Sequence, residues 1–423
     1  MVNSSKMLAF VGFLSISMIN SVTVLGSSSG RNAGDAALIS GLMDTVDEAC
    51  GESLLYEIPT IKPRFIRENY ANRTQPIGML PWNASIKMLG VPTYRSIMRT
   101  DLSLIFDAIL FDRSLYNPLF NFMSTLSVML PLARKRGKRM ACFNVGAGPV
   151  DTAPGRRMLR DIGNGMDFIT LRDQESLDIM RDVGVTNPRM YLAADSALVV
   201  QSSHDERVDE IMRDLGLEGE TALLGINVNQ YLDSWASPGR KPMSKERFVA
   251  TYAEAIDQVA AEANAAVIFV ATQYHDVEIS RAVMDRLQGP RKKALLSNAE
   301  YSHYDVKGVL RRLDLLFAMR LHSAILCSSE ETPIVGIAYQ PKVAFFFNSL
   351  GLSEHCMTFD DFSVASVSEH LRRGWEQRDA IREQLKTVLP GLKERTHKAA
   401  ELVAAMRQGE DMDAAFTRIV GDA

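Results

Sequence analysis

At about 150 residues per domain, a chain of 423 residues has room for two domains. The composition, 46% hydrophobic and 23% charged, excludes wholesale disorder. A formal net charge of −4 argues against a dedicated binder of duplex nucleic acid, so no nucleic-acid partner is expected. The sequence also lacks a run of about 18 to 20 apolar residues, which excludes a polytopic membrane protein.

Residues 1–20 are expected to form a tail ahead of the fold. Lys6 precedes the apolar stretch Met7–Ile19, which is too short to span a bilayer but has the length of a signal-peptide core. Cleavage near Ser21 would cut just before the first predicted strand, so a tail or an upstream start codon is favoured. A short membrane-associating segment is the alternative.

The first predicted domain, residues 21–200, alternates strands and helices. The predicted strands are Ser21–Gly26, Leu54–Ile58, Leu102–Phe106, Arg139–Val145 and Phe168–Leu171, with short β segments within Tyr191–Val200. The predicted helices are Asp35–Cys50, Asn117–Lys135 and Asp173–Val183. Residues 60–100, rich in Pro, Arg and Asn, are predicted to be a long loop or a mobile arm.

A charged stretch near Ser202–Glu210 marks the predicted boundary to a second domain, residues 201–423. Its predicted strands are Ala222–Val228, Ala265–Ala271, Leu295–Ser297, Leu315–Met319 and Pro333–Ala338. Its predicted helices are Lys245–Asn264, Asp276–Leu287, Val306–Leu313 and Leu321–Ser328, followed by a largely helical stretch from Val364 to Ile419. The fold class is therefore α/β, with two Rossmann-like parallel-sheet domains facing a cleft and a helical C-terminal segment.

A glycine-rich loop, Gly26–Leu38, follows the first strand. Asn32 and Asp35 can cap the next helix, and Gly34 lets the backbone come close to a ligand. The loop fits neither G-x-G-x-x-G nor the P-loop pattern. Recognition of an anion or hydroxyl of a substrate is one interpretation, and a capped βα turn is the other.

Cationic residues follow three predicted strands. Arg172 comes after Phe168–Leu171, Arg320 and His322 after Leu315–Met319, and Lys342 after Pro333–Ala338. Each could instead be a solvated surface residue. Three cations at the carboxyl ends of strands favour a substrate with several negative charges, and a histidine there can act as general acid or base.

Several of these segments together resemble the polysaccharide pyruvyl transferases. The resemblance rests on N-A-G-D (Asn32–Asp35), ITLRDQES (Ile169–Ser176), AADSALVV (Ala193–Val200) and the stretch from Met319 to Val343 that contains Arg-Leu-His-Ser and the lysine. The matching segments are spread over most of the chain. Members of that family resemble GT-B glycosyltransferases in fold. They move the pyruvyl unit of phosphoenolpyruvate onto a sugar and form a cyclic ketal.

The resemblance implies roles for individual residues. Arg172 and Lys342 are expected to bind the carboxylate and phosphate of phosphoenolpyruvate with help from Arg320, and His322 is the candidate general acid. The loop residues Asn32, Gly34 and Asp35 are assigned to the acceptor side. Phosphoenolpyruvate is a co-substrate, and neither a cofactor nor a metal is expected.

The sequence departs from the family at two places. Residues Phe106–Asp112 lack the glycine-rich run that many members carry, and Asn227–Asn229 lacks an arginine. Both departures fall where an acceptor could bind. They leave the acceptor sugar, and the level of activity, undetermined.

Two other functions compete with pyruvyl transfer. A GT-B glycosyltransferase would use a nucleotide sugar and hold its ribose with a late carboxylate such as Glu330 or Glu331. A non-catalytic glycan-binding protein would tolerate loss of His322.

The expected acceptor is a glycan or a lipid-linked oligosaccharide. The scattered cysteines form no C-x-x-C pair and fit reduced thiols in a cytoplasmic protein. The basic segment Arg134–Arg139 could lie near anionic lipid at the inner face of the membrane, or could be a solvated helix end.

Overall fold

The computed structural model describes residues 19–30, 32–78, 90–112, 122–230 and 243–421. Most of the predicted tail therefore lies outside the described residues, as do residues 113–121, which include the start of the predicted helix Asn117–Lys135. Within the described ranges, no helix is both long enough and apolar enough to cross a membrane.

The first half is built on a parallel sheet of seven strands in the order β3-β2-β1-β4-β5-β6-β7. Its strands are β1 Ser21–Leu25, β2 Leu55–Thr60, β3 Thr74–Gly78, β4 Leu102–Ile105, β5 Arg139–Val145, β6 Ile169–Leu171 and β7 Met190–Leu192. Its helices are α1 Ala33–Cys50, α2 Pro63–Asn69, α3 Gly90–Arg99, α4 Phe122–Arg134, α5 Ala153–Asn164 and α6 Gln174–Asp182.

The second half has a parallel sheet of six strands in the order β10-β9-β8-β11-β12-β13. Its strands are β8 Leu223–Asn227, β9 Ala266–Ala271, β10 Lys293–Ser297, β11 Leu315–Ala318, β12 Ile334–Ala338 and β13 Cys356–Thr358. Its helices are α7 Asp205–Asp214, α8 Lys245–Glu262, α9 Val277–Met284, α10 His303–Leu310, α11 Leu321–Ser328, α12 Pro341–Ser349, α13 Val364–Glu376, α14 Arg378–Arg407 and α15 Met412–Val420.

These two sheets confirm the predicted α/β class. In each sheet the strand order reverses beside the first strand of that half, between β1 and β4 and between β8 and β11. A crevice opens at such a reversal, outside the carboxyl ends of the strands, and ligands of α/β proteins bind there. The sheet topology therefore places the carboxyl ends of β1, β4, β8 and β11 beside these crevices.

The C-terminal helix α14 joins the two halves. It packs along α1, and Asn144 of β5 donates its side-chain amide to the Thr396 carbonyl at 3.2 Å. Arg139 donates to the Met406 carbonyl at 2.6 Å, and Arg407 donates to the carbonyl of the buried Ile19 at 2.8 Å. This helix follows the second sheet in the chain yet stabilises the first half. The predicted domain boundaries stay a prediction.

The prediction of an irregular arm over residues 60–100 was wrong for the described part of that stretch. The helices α2 and α3 and the strand β3 occupy it, and β3 pairs in parallel with β2 from Thr74 to Gly78. An edge strand tolerates the proline at position 76 because only one side of it carries ladder hydrogen bonds. Pro63 begins α2, where its missing N–H costs no helix hydrogen bond.

Three further differences concern polar helices and turns. Helix α5 was not predicted because few of its residues are apolar, although Thr152 caps it by accepting from the Gly155 N–H. The charged boundary stretch forms most of α7. Within Tyr191–Val200, only the start is strand, and Ser196–Leu198 forms a 3-10 turn.

Candidate active site

The start of α1 lies in the crevice and connects the two halves. The Asn32 side chain caps the helix by accepting from the Gly34 N–H at 2.9 Å, and its amide donates to an Asp35 carboxylate oxygen at 2.9 Å. The next backbone N–H, that of Ala33, donates across the crevice to the Thr272 carbonyl at 2.8 Å, just beyond β9. The predicted capping role of Asn32 is confirmed, and the cap is also an interdomain contact.

Gly34 lies directly against His322. A Cβ atom at position 34 would overlap the Cβ, Cγ and Nδ1 atoms of that histidine, so a residue with a side chain could not approach as closely. His322 is the second residue of α11 and reaches the crevice from the second half. The close approach of α1 therefore encloses the imidazole ring.

The His322 imidazole is almost fully enclosed, with its side chain 13% exposed. Its Nε2 atom is buried and has no hydrogen-bond partner among the described residues, and it lies 3.9 Å from Asp195 Oδ2. Burial, then Arg172, Lys342 and Arg320, lowers its pKa to about 3, although Asp107 acts in the opposite direction. The ring is therefore neutral near pH 7 and offers a buried nitrogen to a bound group.

Arg172 follows β6 and enters the crevice from the first half. Its side chain is 5% exposed, and it pairs with Asp173 Oδ2 at 3.2 Å and with Asp195 Oδ2 at 3.4 Å. The guanidinium lies close to Gly146, where a Cβ atom would come within 2.9 Å of its Nε. Asp195 therefore pairs with Arg172 and lies close to His322.

Arg320 is held by a carboxylate of the second half. Its Nη2 donates to Oδ1 of the fully buried Asp276 at 2.8 Å, while its Nε donates to the other oxygen of that carboxylate. Nη2 also donates to Asn229 at 3.2 Å, and the Asn227 side chain accepts from the backbone N–H of Arg320 at 2.8 Å. This two-pronged pairing fixes the guanidinium and compensates much of its charge.

Lys342 is the second residue of α12 and projects from the helix N-terminus into the same crevice. Burial, then Arg172, lowers the pKa of its ammonium group to about 8, and Arg320 acts in the same direction. Unlike the two arginines, Lys342 forms no ion pair within 4.0 Å with a described residue. It is a cation held in place by the fold beside two others, which favours a bound anion as its partner.

Two carboxylates, Asp35 and Asp107, complete the constellation. Burial, and then Asp107, raises the pKa of Asp35 well above its usual range, although Lys342, Arg320 and Arg172 oppose the shift. Asp107 follows β4 and is buried with a left-handed backbone, φ +63°, and its carboxylate accepts from the Ala108 N–H at 2.6 Å. Non-glycine residues seldom adopt this conformation, and those that do are concentrated at functional sites.

All seven predicted site residues meet in this crevice: Asn32, Gly34, Asp35, Arg172, Arg320, His322 and Lys342. Their individual roles stay predictions.

Three carboxylates of the constellation received no role in the sequence analysis. Asp107, Asp195 and Asp276 each follow a strand by a few residues, and that position was the available signal. In the described part of the chain, no group of three or more His, Cys, Asp or Glu side chains is arranged to hold a metal ion. The arrangement is suited to binding an anion beside groups that can exchange protons.

Comparison with known proteins gives a family and a fold. The model of the family described as polysaccharide pyruvyl transferase matches residues 32–341, from the helix cap to the residue before Lys342. No curated protein matches the sequence.

Three solved structures illustrate the fold. A putative UDP-N-acetylglucosamine 2-epimerase from Listeria monocytogenes is 9% identical with a TM-score of 0.65, and the match covers 93% of this chain and 98% of that one. The UDP-GlcNAc 2-epimerase from Neisseria meningitidis bound to UDP-GlcNAc is 9% identical with a TM-score of 0.57, covering 89% and 97%. Anabaena HepE in complex with UDP and glucose is 11% identical with a TM-score of 0.51, covering 94% and 98%. These likenesses confirm the predicted GT-B-like fold.

Proposed function

The chain belongs to the polysaccharide pyruvyl transferase family, and from that membership we propose that it transfers the pyruvyl group of phosphoenolpyruvate to a sugar. The acceptor would be part of a cell-surface or exported polysaccharide precursor, a glycan or a lipid-linked oligosaccharide. The product would carry a cyclic ketal across two of its hydroxyls.

The observation that carries this proposal is the convergence of three cations on one buried histidine. Arg172 enters from the first half, whereas Arg320 and Lys342 enter from the second, and all three act on the pKa of His322. Phosphoenolpyruvate bears a carboxylate and a phosphate, and Arg and Lys side chains suit both groups. Lys342, which has no ion pair with a described residue, is the natural partner of one of them.

Anion binding would also supply the proton that the reaction needs. Burial, together with the positive charge of Arg172, Lys342 and Arg320, keeps His322 neutral. Bound carboxylate and phosphate would offset that positive charge and raise the pKa of the imidazole, so that it takes up a proton on binding. His322 would then protonate the methylene carbon of phosphoenolpyruvate, leaving oxocarbenium character at the central carbon.

Two hydroxyl additions complete the scheme. The first sugar hydroxyl forms a bond to the central carbon and releases its proton, and the C–O bond to phosphate then breaks. The second hydroxyl adds to the carbon left by phosphate, gives its proton to the departing phosphate and closes the ketal. Asp35 is the proposed acceptor of a hydroxyl proton, because a carboxylate with a raised pKa is the better base near neutral pH.

The proposed reaction takes place in the cytoplasm, at the inner face of a membrane that carries the acceptor. Phosphoenolpyruvate is a co-substrate in this scheme, and neither a metal nor a further cofactor enters it.

A nucleotide-sugar glycosyltransferase is the competing function within the same fold. That alternative gave Glu330 or Glu331 the task of holding a ribose. Glu330 instead pairs with Lys307, a buried lysine of α10, at 3.3 Å. The pairing removes one of the two carboxylates from that role and favours pyruvyl transfer.

The test is a thermal-shift titration with phosphoenolpyruvate, run beside UDP- and GDP-sugars. The variants are Arg172→Ala, Lys342→Ala and His322→Ala, with Arg213→Ala as an exposed control on α7. Each variant's midpoint without ligand shows whether it folds.

Saturable stabilisation by phosphoenolpyruvate alone, lost in Arg172→Ala and Lys342→Ala but kept in the control, supports the proposal. Stabilisation by a nucleotide sugar alone contradicts it and favours the glycosyltransferase. Glycan binding that is unchanged in His322→Ala, without turnover of phosphoenolpyruvate by the wild type, would favour a non-catalytic glycan-binding protein.

A further inference from the structure

We propose that the outer face of α3 and α4 docks on an anionic lipid bilayer. This surface, termed here the α3–α4 face, consists of Val91, Val128 and Leu132 together with four exposed cations: Arg95, Arg134, Lys135 and Arg136. The biological reason for this docking rests on the proposed function, since a lipid-linked acceptor would be held at such a bilayer. The attachment itself requires neither phosphoenolpyruvate nor an acceptor.

The first observation is a concentration of exposed apolar side chains. Among the described residues, five large hydrophobic side chains are exposed, and three of them lie here: Val91 at 49%, Val128 at 63% and Leu132 at 43%. Val128 and Leu132 are four residues apart on α4 and so share one side of the helix. Grouped exposed apolar residues mark interaction surfaces, whereas single ones do not.

The second observation is the charge around these side chains. From Phe122 to Lys138 the chain has four cations and no carboxylate, although its overall net charge is −4. Helix α3 has no carboxylate and contains Arg95 and Arg99. Arg99 pairs with Glu57 of β2 at 2.7 Å, so the charge that α3 adds to the face is that of Arg95. The surface is therefore locally basic in an otherwise acidic protein.

The two helices form one connected surface. They pack against each other, and Arg136 donates to the Tyr94 hydroxyl at 2.9 Å. That bond links the basic end of α4 to α3 and places apolar and cationic side chains on a common rigid support. A surface of this kind can bury its apolar residues at the boundary between headgroups and acyl chains while its cations contact lipid phosphates.

The combination favours a bilayer over other partners. A soluble polyanion would satisfy the cations but would leave Val91, Val128 and Leu132 in water. A second copy of the same face would bring like charges together. An anionic bilayer offers negative charge at its surface and an apolar layer beneath it, which are the two properties that the face presents.

The test is co-sedimentation of the full chain with vesicles of phosphatidylcholine alone and with vesicles of phosphatidylcholine and phosphatidylglycerol in equal amounts. Lys135→Gln should weaken binding to the anionic vesicles about fivefold, the effect of one cation near such a surface. Leu132→Ser should weaken it by a similar factor, about fivefold, through lost apolar burial. The matched controls are Arg213→Gln on α7 and Phe345→Ser on α12, with Phe345 43% exposed, the same as Leu132.

Support consists of binding to anionic vesicles that falls with added salt, is weakened by both face variants and is unchanged in both controls. Equal sedimentation with both vesicle types, or face variants that behave like the controls, would overturn the proposal. Tight binding of heparin that Leu132→Ser leaves unchanged, without vesicle binding, would also overturn it and indicate a polyanion site. Because the phosphoenolpyruvate thermal shift is a separate measurement, its absence defeats the proposed function without touching vesicle binding.

Discussion

Gly34 of the first half and His322 of the second half are in such close contact that no Cβ atom fits between the helix backbone and the imidazole ring. The contact belongs to a seam in which Ala33 donates to the Thr272 carbonyl and Asn32 forms a β-bridge with Gln273. The proposed catalytic ring is thus enclosed by an interdomain contact. Its environment therefore depends on how the two halves meet.

Substituting Gly34 with alanine adds only one methyl group but should lower both stability and activity. The added methyl overlaps the His322 ring, so the interdomain seam must open or the ring must turn, at a cost of about 1–3 kcal/mol in the free energy of unfolding. Urea unfolding measures that loss, and phosphate release from phosphoenolpyruvate in the presence of acceptor measures activity. Gly391→Ala is the matched control. It lies in α14 with no atom within 4 Å of the added methyl, and should gain about 0.5–1 kcal/mol. A Gly34→Ala variant as stable and active as that control would contradict the close contact.

Phosphoenolpyruvate binding should weaken as the pH rises above about 8, because the Lys342 ammonium has its pKa lowered to about 8 in the free site. A bound anion raises that pKa, so below pH 8 the lysine is charged in both states and contributes no pH dependence to the affinity. Above pH 8 the free lysine loses its proton, binding must restore it, and the affinity falls by up to tenfold per pH unit. Calorimetric titration across this range measures the slope. Lys342→Arg keeps its charge and should abolish the decline, and a decline that persists in this variant would assign it to another group.

Asp276 should act as a positioning residue for Arg320. Its carboxylate is fully buried and accepts hydrogen bonds from both Nε and Nη2 of Arg320. Asp276→Asn therefore leaves the guanidinium without its counter-charge. Breaking a buried ion pair in this way costs about 3 kcal/mol. We expect a lower urea midpoint together with a raised KM for phosphoenolpyruvate. The control is Glu278→Gln, two residues after Asp276 in the sequence. It removes an exposed ion pair with Lys245 and should change neither the urea midpoint nor the KM. Equal effects of the two substitutions would argue against a special role for the Arg320 pair.

Replacing Asp35 with asparagine should separate binding from catalysis. The asparagine carbonyl can still accept the hydrogen bond from Asn32 and has nearly the shape of the carboxylate, so α1 should stay capped. The phosphoenolpyruvate thermal shift should therefore persist. If Asp35 accepts a hydroxyl proton, kcat should fall about 10²-fold or more. Thermal shift and steady-state turnover of the same preparation provide the two readouts. Full turnover would remove Asp35 from the proton path, whereas a lost thermal shift would assign it to donor binding.

Much of the fold could be predicted because buried parallel strands are short apolar runs. The strand β5 was predicted with its observed bounds, Arg139–Val145, and helix α11 with Leu321–Ser328. The strand β3 was missed because an edge strand with Pro76 lacks that apolar signature. Helix α5 was missed for a related reason, since its stability comes from packing on α4 and from the Thr152 cap rather than from a wide apolar stripe.

The composition of the candidate site could be predicted in part. Cations and a histidine directly after apolar strands are conspicuous, which is how Arg172, His322 and Lys342 were found. Asp195 and Asp276 were not assigned roles because aspartates are common near helix starts, and nothing local distinguishes one that pairs with an arginine of another element. Nor could the spacing show that Arg320 is paired whereas Lys342 enters no ion pair with a described residue.

The sequence by itself determined the α/β class, the family resemblance and the residues gathered at the strand ends, because hydrophobic runs and local motifs are properties of neighbouring residues. Only the tertiary structure decided the state of those residues. The low pKa of His322, the raised pKa of Asp35 and the seam at Gly34 depend on groups from different parts of the chain, brought together and buried in one crevice. Burial and the electrostatic field of neighbouring charges depend on three-dimensional distance, which residue order alone does not provide.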